Sequence, residues 1–287
     1  MIDYINRPIV ICGSGNMGRR MAALLATKKN LVHLYDSSPE QTKQSIEYIN
    51  QYLPEVVKET PNGKAGTVKA FNDLKAATEN AWLVIEAIPE IFDAKVDLLG
   101  QLDQMIPPDA ILATNSSSFP SSQLIGKVKN TSRVINTHFY RPPAIKVVEI
   151  MGCGYTDPNL INFIIKVFEE LHLSPFHVRK ESVGFIFNRI WAAIKRESLY
   201  VAAEGVSTPE EIDKIFSQIG DFRHGAFHLM DEVGLDVVYD IEEHYATVRK
   251  DTPKEPREYL KENFLSKNKL GVKTGQGFYD YKDTNIK

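Results

Sequence analysis

Apolar residues follow two different rhythms along the chain. In the first half, short apolar runs recur between amphipathic stretches: PIVIC (8–12), LVHLY (31–35), VKAF (68–71), WLVIEA (82–87), AILAT (110–114) and RVINTH (133–138), then KVVEI (146–150) and SPFHV (174–178). Runs of this length, rich in β-branched residues and bounded by polar turns, predict strands. Residues 157–171 instead place Leu160, Ile161, Ile164, Val167, Phe168 and Leu171 at helical spacing. Strand–helix alternation predicts an α/β fold, an open Rossmann-type sheet with helices on both faces.

After residue 182 the rhythm becomes helical throughout. FIFNRIWAAIKRESLYVAAEG (185–205) is a long apolar helix that stops at a glycine. The next segment, STPEEIDKIFSQIG, has a helix start built in, with Thr208 at the N-cap, Pro209 at N1 and Glu211 at N3. Further helical patterns lie around 224–247 and 255–267. The expected organisation is an α/β domain over 1–181 and an all-helical C-terminal domain over 182–287, with RKESVG (179–184) at the junction.

Composition adds exclusions. A net charge of −3 offers no strong field to nucleic acid or an anionic membrane, so neither is an expected partner. The two cysteines, Cys12 and Cys153, fit a reduced compartment rather than a disulfide scaffold. The first strand starts near residue 8, and the tail KDTNIK matches no targeting signal, so a cytoplasmic protein is expected. No apolar run has the length of a membrane span, and no set of metal ligands is read.

ICGSGNMG (11–18) supplies the first chemistry. Gly13, Gly15 and Gly18 form a G-x-G-x-x-G pattern between a strand and a helix. The first glycine permits a tight turn, the second lets backbone approach a pyrophosphate, and the third lets the helix pack closely on the sheet. Asn16 and Met17 complete the loop at the start of the helix, where free N–H groups favour an anion. Asp36 follows the second strand and can accept hydrogen bonds from the ribose hydroxyls of NAD, while its charge would repel the 2′-phosphate of NADP. NAD is the expected cofactor.

Among seven histidines, His138 stands apart because it ends a strand, where open sheets bind ligands. Pro142-Pro143 then turns the chain back toward a strand carrying Glu149. An imidazole beside a carboxylate is a competent base, although spacing alone suits a structural pair equally well.

Several motifs together, in order, resemble the L-3-hydroxyacyl-CoA dehydrogenases, specifically the 3-hydroxybutyryl-CoA dehydrogenase-like members. They are VIEAIPE (84–90), TNSSSF (114–119), HFYRPPAIKVVE (138–149), GFIFNR (184–189), GAFHLMDEVGLD (225–236) and KTGQGFYDY (273–281). The resemblance implies His138 as general base with Glu149 as its partner. It implies Ser117 at the substrate oxygen and cofactor, and Asn188 as a substrate-positioning asparagine. It puts Glu90 and Lys95 at the nicotinamide half of NAD, and Asn115 at a cofactor ribose. It also implies a homodimer paired through the helical domain, an acyl-CoA substrate and a role in fatty acid metabolism.

Two departures bear on the substrate. The segment from Asp36 to Glu86 is shorter than in mitochondrial-type members, where a helical pair clasps CoA; QTKQSIEYINQYLPEVVKETPNGKAG (41–66) offers little more than one helix and a loop. Lys43, Lys58, Lys64 and Lys69 in this segment remain candidate phosphate contacts. HFYRPPA also replaces the usual His-Phe-Phe-Asn-Pro run, with Arg141 at the asparagine position. These departures keep open a smaller free 3-hydroxy acid, as used by gulonate and carnitine dehydrogenases, or a biosynthetic C=O or C=N reduction. A non-catalytic, lens-crystallin-like protein is a further class.

Overall fold

The structure, a computed structural model, describes residues 2–28, 30–220, 223–250 and 252–281. The tail KDTNIK lies outside the described residues. Two compact units divide the chain, Met1–Ile186 and Phe187–Lys287.

The first unit is an eight-stranded sheet in the order β3-β2-β1-β4-β5-β6-β7-β8. The strands are β1 Ile9–Cys12, β2 Leu31–Tyr35, β3 Thr67–Phe71, β4 Leu83–Glu86, β5 Ile111–Thr114, β6 Val134–Phe139, β7 Val147–Gly152 and β8 Ser174–Val178. All eight apolar runs are therefore strands. Only the β6–β7 pair is antiparallel. The helices are α1 Asn16–Leu25, α2 Pro39–Lys58, α3 Leu74–Thr78, α4 Phe92–Met105, α5 Ser121–Leu124 and α6 Pro158–Glu170.

The inner strands are continuously apolar because both faces are covered. Ile9, Ile11, Leu83, Ile85 and Ile111 pack with α1, α2 and α6 in one cluster. Val10, Cys12, Val84 and Leu112 alternate with them and pack with α3, α4 and α5 in another. Strand order reverses between β1 and β4, the place where open α/β sheets leave a crevice beyond the strand ends. Between β2 and β3 lies α2 alone, capped by Ser38, whose hydroxyl accepts the Gln41 N–H at 3.2 Å.

The second unit is built from α7 Phe187–Ala203, α8 Pro209–Gly220, α9 Ala226–Val233, α10 Leu235–Val248 and α11 Glu255–Asn263. Its core includes Leu199, Phe227, Met230, Leu235, Val238 and Leu260. The helical pattern read across 224–247 is broken in two at Gly234, whose φ of +103° a helix cannot contain. Thr208 caps α8 as expected, accepting the Glu211 N–H at 3.3 Å, but the Glu211 carboxylate is held by Ser207 instead of reaching back to the cap. Buried Asp231 accepts hydrogen bonds from Phe278 N, Tyr279 N and the Tyr281 hydroxyl, tying the KTGQGFYDY segment to α9. A Cβ at Gly277 would lie 2.0 Å from that carboxylate, which explains the second glycine of the motif.

Candidate active site

The crevice at the β1/β4 switch point starts with the glycine loop. Gly13 turns the chain at φ +110°, and a Cβ there would sit 2.5 Å from the Ala87 carbonyl oxygen. A Cβ at Gly18 would sit 1.8 Å from the Gly13 carbonyl oxygen, so α1 packs as closely as its backbone allows. At Gly15 a Cβ would meet nothing within 4 Å. That open space faces the start of α1, which has no side-chain cap, so its first N–H groups are available to an anion. The cleft here measures about 740 Å³ and is lined by Gly13, Gly15, Asn16, Met17 and Asp36 among others. Asp36 Oδ2 accepts the Ser14 N–H at 2.8 Å and its hydroxyl at 3.1 Å, and Oδ1 accepts the Ser38 N–H at 3.0 Å. Two carboxylate oxygens offer about four acceptor positions, so capacity remains for a ribose hydroxyl. These features fit a dinucleotide.

A second cleft of about 310 Å³ shares Met17, Ala87 and Ile88 with the first, and adds Glu90, Lys95, Asn115, Ser117, His138 and Tyr140. Its floor is a buried charge network. Lys95 is 1% exposed and donates to Glu86 Oε1 at 2.7 Å and the Ile88 carbonyl at 3.1 Å, with Glu90 Oε2 also 3.1 Å away. Lys95 is thus turned inward onto two carboxylates instead of out to solvent. Glu86 is fully buried but satisfied: Oε1 also accepts the Ile88 N–H at 2.8 Å, and Oε2 accepts the Thr114 hydroxyl at 2.5 Å. Burial alone would raise the Glu90 carboxyl, but the Lys95 ammonium and hydrogen bonds from Ser116 and Ser118 outweigh it and hold Glu90 below the usual carboxylate range. Glu90 is therefore ionised at neutral pH.

The third feature arises from strand register. β6 and β7 run antiparallel with His138 directly opposite Glu149. Residues facing one another in such a pair project from the same face with Cβ atoms about 5 Å apart. His138 Nδ1 lies 3.1 Å from Glu149 Oε2, both side chains buried. Oε1 of Glu149 accepts the Ile186 N–H at 2.9 Å. The Tyr140 hydroxyl donates to the same Oε2 at 2.5 Å, and its ring packs 4.5 Å from the imidazole. With Nδ1 on the carboxylate, Nε2 is the nitrogen left to exchange a proton with a ligand.

The first unit thus brings together Gly13, Gly15, Asn16, Met17 and Asp36 at one cleft, with Gly18 packed against the Gly13 carbonyl instead of lining it, and Glu90, Lys95, Asn115, Ser117 and His138 at the adjoining one, with Glu149 bonded to His138. Asn115 is fixed by accepting the Phe139 N–H at 3.0 Å through its side-chain oxygen. Asn188 stands in the first turn of α7, in the second unit. Cys12 is buried at the end of β1, and burial pushes its thiol well above the ordinary range, as an inert core cysteine requires. Sequence reasoning passed over Glu86, Ser116 and Tyr140. Glu86 reads as the last residue of an apolar strand. Tyr140 had a usable signal, since strand periodicity puts residues 138 and 140 on one face.

Known proteins supply an independent comparison. The family described as 3-hydroxyacyl-CoA dehydrogenase, NAD binding domain, matches residues 8–182, and its C-terminal domain matches 184–281. A probable 3-hydroxybutyryl-CoA dehydrogenase of Bacillus subtilis is 29% identical over 283 residues, covering 96% of this chain and 98% of that one. The 5-formyl-3-hydroxy-2-methylpyridine 4-carboxylate 5-dehydrogenase of Mesorhizobium japonicum is also 29% identical, covering 96% and 91%. Among solved structures, (S)-3-hydroxybutyryl-CoA dehydrogenase from Ralstonia eutropha superimposes with a TM-score of 0.86 at 27% identity, covering 96% of this chain and 99% of that one.

Proposed function

The chain belongs to the 3-hydroxyacyl-CoA dehydrogenase family, and from that membership we propose that it catalyses reversible hydride transfer between NAD(H) and a 3-hydroxy/3-oxo acyl-CoA. When bound, NAD would supply the hydride acceptor for oxidation and NADH the hydride donor for reduction. The N–H groups around Gly15 and the start of α1 would hold the pyrophosphate, and Asp36 the adenosine ribose. Glu90 and Lys95 would contact the nicotinamide half, and Asn115 its ribose. His138 Nε2 removes the hydroxyl proton in oxidation and returns it in reduction. Glu149 fixes the tautomer and stabilises the imidazolium. Ser117 donates to the substrate oxygen, and Asn188 positions the acyl group. The observation that carries this reading is the His138–Glu149 pair at the wall of a cleft continuous in its lining with the glycine-loop crevice.

The assignment extends to a division of labour: residues 1–181 bind cofactor, and 182–287 contribute to substrate binding and pair two subunits into a homodimer. A cytoplasmic enzyme of fatty acid metabolism is the setting we infer. No helix of the described residues is long and apolar enough to cross a membrane.

One observation favours a second reading. α2 alone fills the segment where a CoA-clasping helical pair would project, and Arg141 follows the base-bearing strand. A small carboxylate substrate would suit that arrangement. A panel decides between the two: acetoacetyl-CoA, free acetoacetate and other free 3-oxo acids, each with NADH. Turnover of the thioester is the expected result. Its KM should rise with salt, because Lys43, Lys58, Lys64 and Lys69 could contact CoA only as screened surface charges. Turnover of a free acid with an inert thioester, and a raised KM in Arg141→Ala, would establish the second reading.

A further inference from the structure

We propose that Tyr140 is a positioning residue for the proton-transfer step: it holds Glu149 by the oxygen that also receives the His138 proton, and so weakens the imidazole as a base. This rests on the assignment of His138 as the acid–base residue.

The observation is a shared atom. Glu149 Oε2 takes the Tyr140 hydroxyl at 2.5 Å and His138 Nδ1 at 3.1 Å, while Oε1 takes the Ile186 N–H at 2.9 Å. An O–H···O⁻ bond this short is charge-assisted and draws electron density from the oxygen that accepts it. The imidazolium formed when His138 accepts a proton depends on the charge at that oxygen. A second donor there takes part of the stabilisation away.

The consequence has a direction. A less stabilised imidazolium gives its proton up more readily, so the proton passes to a nascent alkoxide with more driving force, while a smaller share of the enzyme carries that proton at a given pH. The hydroxyl is also a single-atom departure: HFY stands here where the usual family run is His-Phe-Phe. A phenylalanine at 140 would keep the ring against the imidazole and remove the tyrosine donor from Oε2. The cleft that His138 lines also holds Glu90, Lys95 and Ser117, and the apolar Phe185 ring lies 4.9 Å from the imidazole.

The test uses the full-length protein with ¹⁵N-labelled histidine. The expected result is that Tyr140→Phe moves the midpoint of the His138 imidazole titration to higher pH by roughly half a unit to one unit. The pH limb of acetoacetyl-CoA reduction should move with it. In a Glu149→Gln background the same substitution should produce no shift, because the effect travels through the carboxylate. Fluorotyrosine at position 140 keeps the ring and is a stronger donor, so it should move the midpoint downward. It also serves as the test if Tyr140→Phe fails to fold. A midpoint within ~0.2 unit of wild type in either variant, or a shift that persists without Glu149, overturns the proposal. His138→Asn separates the two claims. Full turnover in that variant removes the base assignment, whereas an inactive His138→Asn with an unmoved Tyr140→Phe midpoint removes only the role of Tyr140.

Discussion

His138 and Glu149 are eleven residues apart in sequence and one hydrogen bond apart in space. The turn at Pro142-Pro143 makes the two strands antiparallel, and their register does the rest. Nδ1 is occupied by the carboxylate, which leaves Nε2 with one task. His138→Asn should therefore leave NADH binding intact and lower turnover by about 10²-fold or more, the usual loss for an acid–base group. Stopped-flow binding and steady-state rates on one preparation check both halves. Glu149→Gln should impair the same step with little effect on cofactor affinity, since it leaves the imidazolium without its charge partner. We propose that Asp36 sets the cofactor choice. NADH should bind more tightly than NADPH, and Asp36→Ala should narrow the gap. Equal binding of the two by the wild type, in a fluorescence titration, would refute the assignment. Asp36 also holds the glycine loop through Ser14, so the alanine variant should weaken NADH binding as well as relax discrimination.

At the scale of elements, the strands were legible because a parallel sheet buried on both faces writes itself as unbroken apolar runs. The β1–α1 turn was legible because Gly13 and Gly18 each answer a close backbone contact, while Gly15 leaves open space before α1. What stayed hidden was direction. Lys95 reads as a solvated helix residue, yet it shares the inner face of α4 with Leu99 and Leu102 and ends on Glu86. Glu86 and Ser116 are meaningful only once β4, β5 and α4 are assembled. The break at Gly234 was also missed, because helical periodicity continues on either side of it. A similar inward cation in the second unit leads to a stability prediction. Lys195 on α7 is 4% exposed, and burial pulls its ammonium down to about 8; Glu242 opposes that shift and Arg196 adds to it. Between about pH 8 and 10.5 the unfolded chain holds a proton there that the folded chain has released, so stability rises with pH across that window. The charged form costs on the order of 3 kcal/mol at neutral pH. Lys195→Met should raise the thermal midpoint at neutral pH by several degrees and flatten the rise toward alkaline pH. Glu242 keeps its Arg196 partner at 2.9 Å, so the substitution strands no charge. Calorimetry of both proteins across the window is the check, and parallel wild-type and variant curves would rule the idea out.

For the whole molecule, the open matter is how many chains make the working enzyme. Each unit has its own core, and neither core needs a second subunit to close it. The surface of the helical unit tells a different story. On α8, Ile215 and Ile219 are one helical turn apart and 57% and 80% exposed, with Val206 at 69% just before the helix and Ile190 on α7 at 56%. Single exposed apolar residues are ordinary, but a pair stacked along one helix face is a surface that gains by being covered. We expect a second copy to cover it, which is the proposed pairing through the helical domain. Light scattering at micromolar concentration should then give about twice the chain mass of 32.4 kDa. Ile219→Glu places a charge in that face. It should shift the mass toward the single chain while the circular dichroism of the variant stays native, because residue 219 supports no part of the unit's own core. Dilution should reproduce the same dissociation in the wild type at lower concentration. A wild-type mass of one chain at micromolar concentration would show that the exposed face has some other use, and an unaltered dimer in Ile219→Glu would move the interface elsewhere on the chain.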